Sequence, residues 1–325
     1  MSSSIEPFTG EPSRRLFEFK HATHRIFDIT VDTEELRAEA TASILHPAGS
    51  RHEARSPQLA LVDGLVIATQ LSEAYVKEAF ALGATDASRI WLRRCVLKTG
   101  HTNAVDLSKL PVSTTFVRTE VDPGSRCGYI SHIASQLGTM SVELSIDHPI
   151  AAIRSTMASY PDIDVALGAA ETRYYGAGYR NVDIEIGDLV VDRERQSASA
   201  SIGLTLPTRV QISSGMGSGY VPCVSPVEAL VSIAQLAEAI VHAQDSGEAA
   251  RLPNMWLRKL TIFSPKPVRM AERFPVHTRL KKTSMVTGNG KHWRTNAFGV
   301  EFPVIDGAPA MTAEYSIVAQ MPRAA

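Results

Sequence analysis

The sequence predicts an α+β protein made of two copies of one unit, each a long helix wrapped by an antiparallel sheet. Three observations predict it: an internal repeat, a strands–helix–strands order within each copy, and helices that are apolar on all but a narrow side. The repeat is the strongest. Val62-Asp63-Gly64-Leu65-Val66, Gln70-Leu71-Ser72-Glu73-Ala74 and Trp91-Leu92-Arg93-Arg94 return 165 positions later as Val227-Glu228-Ala229-Leu230-Val231, Gln235-Leu236-Ala237-Glu238-Ala239 and Trp256-Leu257-Arg258-Lys259. No gap is needed, and roughly a third of the positions are identical where average usage gives a few per cent. Leu110-Pro111-Val112 is matched by Phe274-Pro275-Val276, and Met140-Ser141-Val142-Glu143 by Met311-Thr312-Ala313-Glu314. A period this long describes two folded units, not a solenoid.

Each unit opens on a hairpin. Ile26-Phe27-Asp28-Ile29-Thr30-Val31 and Ala38 to Leu45 alternate as strands do, with counterparts at Val182 to Ile186 and Ser197 to Leu204. A loop follows, then one long helix, near 60–81 in the first copy and 226–244 in the second. Strands come next, at 91–98, 111–119 and 138–147, and again at 256–263, 275–283 and 311–320. In the first helix only Asp63, Gln70, Glu73 and Lys77 interrupt the apolar surface, and their spacing puts them on one side; Glu228, Gln235, Glu238 and His242 do the same in the second. A single apolar helix covered by a curled antiparallel sheet is the hotdog arrangement. Two in tandem predict a double hotdog, a pseudo-dimer within one chain in which pairing of the sheets removes two exposed edges. The expected organisation is a first hotdog-like domain over 1–150, a linker over 151–172 and a second domain over 173–325.

Composition narrows the function classes. A chain of 325 residues with 44% hydrophobic content can fill two cores. The formal net charge of −1 without blocks of like charge gives no support to nucleic-acid or anionic-membrane binding. No apolar run is long enough to span a membrane, and the amino terminus lacks the pattern of a secretory signal, so a cytoplasmic location is expected. Three scattered cysteines fit a reducing compartment, and no cysteine or histidine spacing suggests a metal site.

The stretches Ser56-Pro57-Gln58-Leu59-Ala60-Leu61-Val62-Asp63-Gly64-Leu65, Gln70 to Tyr75, Trp91 to Arg94 and, most specifically, Tyr174-Tyr175-Gly176-Ala177-Gly178-Tyr179-Arg180 resemble the AvrD avirulence family. That family is associated with bacterial synthesis of syringolides, small acyl-sugar-derived elicitors. The resemblance implies carbon–carbon or ester formation between a β-ketoacyl thioester and a small hydroxylated carbonyl acceptor, a sugar or triose phosphate. It implies no cofactor beyond the acyl-CoA or acyl-carrier thioester that serves as substrate. The implied partners are that thioester and the polyol or sugar acceptor, with a homodimer as a candidate assembly. A thioesterase and a non-catalytic acyl-ligand binder are the alternatives.

Hotdog enzymes work at the junction of two units near the amino end of the long helix, where unpaired amides can hold a thioester oxyanion. Asp63 and Glu228 stand at that end; they are candidate catalytic acids, or else they complement the helix dipole. Gly64 would let a substrate approach the backbone closely. Gln70, Glu73, Gln235 and Glu238 are kept identical between the copies; the glutamates are candidate bases and the glutamines candidate substrate ligands, with an interface stripe as the other reading. Val66 and Val231 occupy the place where hotdog dehydratases carry an acid, which disfavours that activity. Arg93 and Arg258 could bind a substrate anion or pair with the helix carboxylates Glu73 and Glu238. The loop bearing Arg51, His52 and Arg55 could anchor a phosphate and supply acid–base chemistry; hotdog geometry would face it toward Glu228, so this junction, and not the one at Asp63, is the expected reactive site. The loop Ser213 to Gly219 reads as a flexible flap facing Asp63. The other histidines, His24 and His46 among them, read as surface residues.

Overall fold

The computed structural model describes residues 18–46, 59–100, 106–150, 152–244, 255–270, 273–288, 291–302, 304–305 and 308–320. The hairpin β1 (Thr23–Asp32) and β2 (Arg37–Leu45) leads to α1 (Leu61–Ala79), a short α2 (Ala84–Arg89), then β3 (Trp91–Lys98), β4 (Leu110–Val121), β5 (Tyr129–Leu137) and β6 (Met140–His148). After β7 (Met157–Asp162) and α3 (Ile163–Leu167) the order recurs. The second half contains β8 (Asp183–Asp192), β9 (Ser197–Thr205), α4 (Pro226–Gln244), β10 (Met255–Phe263), β11 (Phe274–Gly288), β12 (Lys291–Glu301) and β13 (Thr312–Gln320).

These thirteen strands form one sheet in the order β7-β1-β2-β4-β5-β6-β3-β10-β13-β12-β11-β9-β8. Read outward from the middle, β3-β6-β5-β4-β2-β1 mirrors β10-β13-β12-β11-β9-β8. The duplicated sequence therefore folds as a tandem double hotdog whose halves meet where β3 and β10 pair antiparallel, Lys98 opposite Lys259 through Arg94 opposite Phe263. The seam is reinforced by Trp91 Nε1 donating to the Ser264 carbonyl at 2.9 Å and by the Ser264 amide donating to the Arg93 carbonyl at 2.7 Å. The stretch 151–172 carries more than a crossing: β7 extends the sheet beyond β1, opposite Phe27 to Asp32. Strands β5 and β12 are additions to the sequence reading. Ser131, His132 and Gln136 in one, and His292, Arg294 and Asn296 in the other, hide the alternation that marks a strand.

α1 mixes strong helix formers with valine, isoleucine, threonine and a glycine, and it is held by packing: it is buried on every side from Val62 to Val76. Its apolar faces meet the sheet through Leu65, Val66, Ile67, Leu71, Tyr75 and Val76. Asp63, Gln70 and Glu73 of its polar stripe are buried as well, and residues of the second half cover Gln70 and Glu73. α4 starts at Ser225-Pro226, a hydroxyl cap followed by proline at the first helical position; Ser225 Oγ accepts from the Val227 amide at 3.0 Å.

Candidate active site

Asp63 is fully buried in the first turn of α1. One carboxylate oxygen lies 2.8 Å from His24 Nε2; the other lies 3.9 Å from His46 Nε2 and accepts from the Ala60 amide at 3.3 Å. His24 is the second residue of β1 and His46 follows β2. Because Thr23 pairs with Leu45 and His24 with Ile44, both imidazoles come from the same end of one hairpin, curled over the helix start. Their side chains are 2% and 8% exposed, so the reading of these histidines as surface residues is corrected. Tyr179, 1% exposed, arrives from the second half on the turn Gly178–Asn181, its hydroxyl 3.3 Å from His24 Nδ1. Arg180 Nε donates to that hydroxyl oxygen at 3.2 Å, and its guanidinium lies 5.5 Å from the Tyr179 ring centre.

The equivalent place in the second half is chemically different. Strand register puts Ile184 where His24 stands and Leu206 where His46 stands, and both pack against the core. Glu228 replaces Asp63 and is buried, its carboxyl pushed up by desolvation. It accepts from the Tyr174 hydroxyl and, at 2.8 Å, from the Ser225 amide, while Ser225 Oγ donates to the Tyr174 oxygen at 2.7 Å. Burial, then the Glu228 charge, holds the Tyr174 phenol well above its ordinary range. This is a saturated capping box with a tyrosine plug. Beside it lies a small cleft lined by Trp91, Tyr175, Met216 and Cys223, and burial pushes the Cys223 thiol up to about 12, where it is inert.

A third buried group sits midway along α1. Arg173, 1% exposed, donates to Gln70 Oε1 at 2.8 Å, to the Gly168 carbonyl at 2.8 Å and to Asp164 at 2.5 Å. Glu73 Oε1 accepts from the Met216 amide at 2.8 Å. Desolvation outweighs the nearby Arg173 charge and raises the Glu73 carboxyl to about 7. Gly215 has φ +77°, and a Cβ there would lie 2.9 Å from Glu73 Oε1. The loop expected to be a flap facing Asp63 is thus docked on Glu73, with Met216 buried.

Other expectations are redistributed. Gly64 does not open the backbone to a substrate: a Cβ there would lie 2.2 Å from Met140 Sδ, so its bare face is filled by packing. Arg93 pairs with Asp122 at 2.6 Å and Asp147 at 3.7 Å, not with Glu73. Arg258 donates to the Gly100 carbonyl at 2.7 Å across the seam. Gln235 is partly buried, and its Nε2 has no hydrogen-bond partner among the described residues. Arg51, His52 and Arg55 lie outside the described residues, as does the Glu238 side chain. Among the described residues no group of His, Cys, Asp and Glu is arranged to hold a metal ion, and no helix is long and apolar enough to cross a membrane.

Fold and site together define a double-hotdog protein with an acid–histidine cluster at one of its two helix starts. The family model for the Pseudomonas avirulence D protein (AvrD) matches residues 1–304, and the chain belongs to that family. No curated protein matches it. Similar solved structures include a tesB protein of Mycobacterium avium subsp. paratuberculosis, at 11% identity over 89% of this chain and 94% of that one (TM-score 0.44). An acyl-CoA thioesterase II of Mycobacterium marinum is similar at 10% identity over 96% and 99% (TM-score 0.40). A 12:0-ACP thioesterase of Umbellularia californica is similar at 9% identity over 92% and 94% (TM-score 0.44).

Proposed function

We propose that the protein is an acid–base enzyme acting on a β-ketoacyl thioester, with Asp63 and His24 as its proton-transfer centre. The observation that carries this reading is the buried Asp63–His24 pair at the start of α1, set against Ile184 and Leu206 at the corresponding places of the second half. A carboxylate holding an imidazole in a water-poor site is the arrangement that general base catalysis requires. The unpaired amides of the helix start complement the negative charge that develops on a thioester oxygen. The Cα protons of a β-ketoacyl thioester are acidified by two carbonyls, so their removal is within reach of a histidine base. The resulting enolate attacks the carbonyl carbon of a hydroxylated acceptor, or an acceptor hydroxyl displaces the thiol. This follows the family's link to acyl-sugar products and makes an acyl-CoA or acyl-carrier thioester the substrate, with a sugar or triose phosphate as acceptor.

The test is mass spectrometry of the purified protein incubated with a β-ketoacyl thioester, with and without dihydroxyacetone phosphate or xylulose. A condensed product that forms only with acceptor is the expected result. Thiol release without acceptor would reassign the protein as a thioesterase, and ligand retained without reaction would make it a binder. Asp63→Asn and His24→Gln should each lower turnover by about 10²-fold or more. Glu228→Gln, which alters only the capped second site, should leave it near normal. Loss of turnover in Glu228→Gln alone would overturn the assignment of the first site.

A further inference from the structure

A groove of about 800 Å³ lies on the outer face of the second half's sheet, across β10, β13, β12 and β11. Strand register lays its floor out in two neighbouring rows. One row runs His277, Glu301, Thr312 and Phe263; the next runs Arg279, Gly299, Glu314 and Thr261. Between them on β11, Val276, Thr278 and Leu280 are buried, so His277 and Arg279 face outward, and Lys281 beyond them is exposed. The first half is an internal comparison. Its register puts Ser113, Gln136, Ser141 and Lys98 in the first row, and Thr115, Ala134, Glu143 and Val96 in the second. Lys281 and Val117 occupy the same bulge, after Leu280 and Phe116. Histidine, arginine, lysine and glutamate thus stand where the first half has serine, threonine, valine and glutamine, and Phe263, 38% exposed, stands where it has Lys98. Gly299 in place of Ala134 leaves the floor bare. A Cβ there would lie 2.3 Å from Lys281 Cε, so the glycine lets Lys281 cross β12 and donate to Glu314 at 2.6 Å. That pair neutralises itself. Arg279 and Glu301 form no ion pair or side-chain hydrogen bond among the described residues.

We propose that this groove is a second binding site, for a small polyhydroxylated anion of the sugar-phosphate class. Arg279 takes the oxyanion, which its planar fork can hold through two hydrogen bonds. The Glu301 carboxylate accepts from ligand hydroxyls, and the His277 imidazole and Thr312 hydroxyl both donate and accept. Phe263 offers a ring for the apolar face of the ligand, and the volume is that of a small-molecule site. A bare anion would leave Glu301 unmatched, and a neutral polyol would leave Arg279 unmatched. A ligand with both features matches both. The groove faces away from the core, whereas the Asp63–His24 cluster is buried beneath the sheet, so the proposal does not depend on the reading of that cluster.

The experiment is isothermal titration calorimetry of the full chain, with no thioester present, against ribose 5-phosphate, ribose and inorganic phosphate. Ribose 5-phosphate is expected to bind at least about 10-fold more tightly than either part alone. Inorganic phosphate binding as tightly as the ester would reduce the groove to a simple anion site and overturn the proposal. Ribose binding as tightly as the ester would overturn it as well, and so would no binding of the ester. Arg279→Thr and Glu301→Gln install the residues of the first half at the same register. Each should weaken ribose 5-phosphate by about 10-fold or more. Both side chains are exposed and unpaired, so melting temperature should stay where it is in either variant. Parent affinity in either folded variant would place the binding elsewhere and overturn the assignment of the groove.

Discussion

Arg93 anchors the carboxyl end of β6. Its guanidinium is 13% exposed and faces Asp122 and the buried Asp147. Arg93→Leu is expected to destabilise the fold by about 2 kcal/mol, because Asp147 loses its nearest counter-charge. Desolvation already raises the Asp147 carboxyl to about 6, with Arg93 opposing it. A carboxyl raised in the folded state contributes most at low pH and loses that contribution as pH rises from about 4 through about 6. Thermal unfolding should therefore show a larger Arg93→Leu deficit at about pH 7.5 than at about pH 4.5; an equal deficit at both would mean the pairing is not the cause. Gly64 is a second case. Gly64→Ala drives a methyl into Met140 and should cost about 1–3 kcal/mol. In a Met140→Ala background the added cost should shrink, a coupling measurable by a double-mutant cycle.

At the scale of elements, the polar stripe of α1 is where the second half grips the first. Asp63 reaches Tyr179 through His24, Gln70 holds Arg173, and Glu73 holds the backbone of Met216. The last contact is pH-dependent. The Glu73 carboxyl titrates at about 7 in the folded protein against 4.5 ordinarily. The folded state thus binds the proton more tightly, and stability falls as pH rises from about 4.5 to about 7, by an amount on the order of 3 kcal/mol. Glu73→Gln keeps an oxygen for the Met216 amide and removes the titration. Melting temperature across this window should fall less steeply in the variant than in the parent. Parallel slopes would show that Glu73 is not the titrating group.

For the whole molecule, one sheet runs through both halves and each half completes the other. The seam combines five paired positions of β3 and β10 with the Trp91 and Arg258 side-chain hydrogen bonds. A chain cut to residues 1–150 would lose β7 from one edge of its sheet, β10 from the other and the cover over Gln70 and Glu73. Unpaired edges and buried polar groups without partners are both costly. The full chain is expected to unfold in a single calorimetric transition, and the 1–150 fragment to show none. A cooperatively folded fragment would refute this interdependence of the halves.

The sequence by itself determined the duplication, the two long helices, the hairpin before each and hence the double hotdog. These rest on local periodicity and on a repeat that needs no gap, both properties of neighbouring residues. It also placed Asp63 and Glu228 at the helix starts, since an acid in a first turn is a local signal. The tertiary structure alone decided which helix start gathers histidines around its acid. His24 is 39 positions from Asp63, and Tyr179 is 155 positions from His24. No periodicity links residues so far apart; they meet because β1 and β2 curl over α1 and a turn of the second half closes against them. The same long-range packing turned a stripe of helix polarity, which spacing alone describes as one side of a cylinder, into buried contacts, two of them, at Gln70 and Glu73, made directly with the second half.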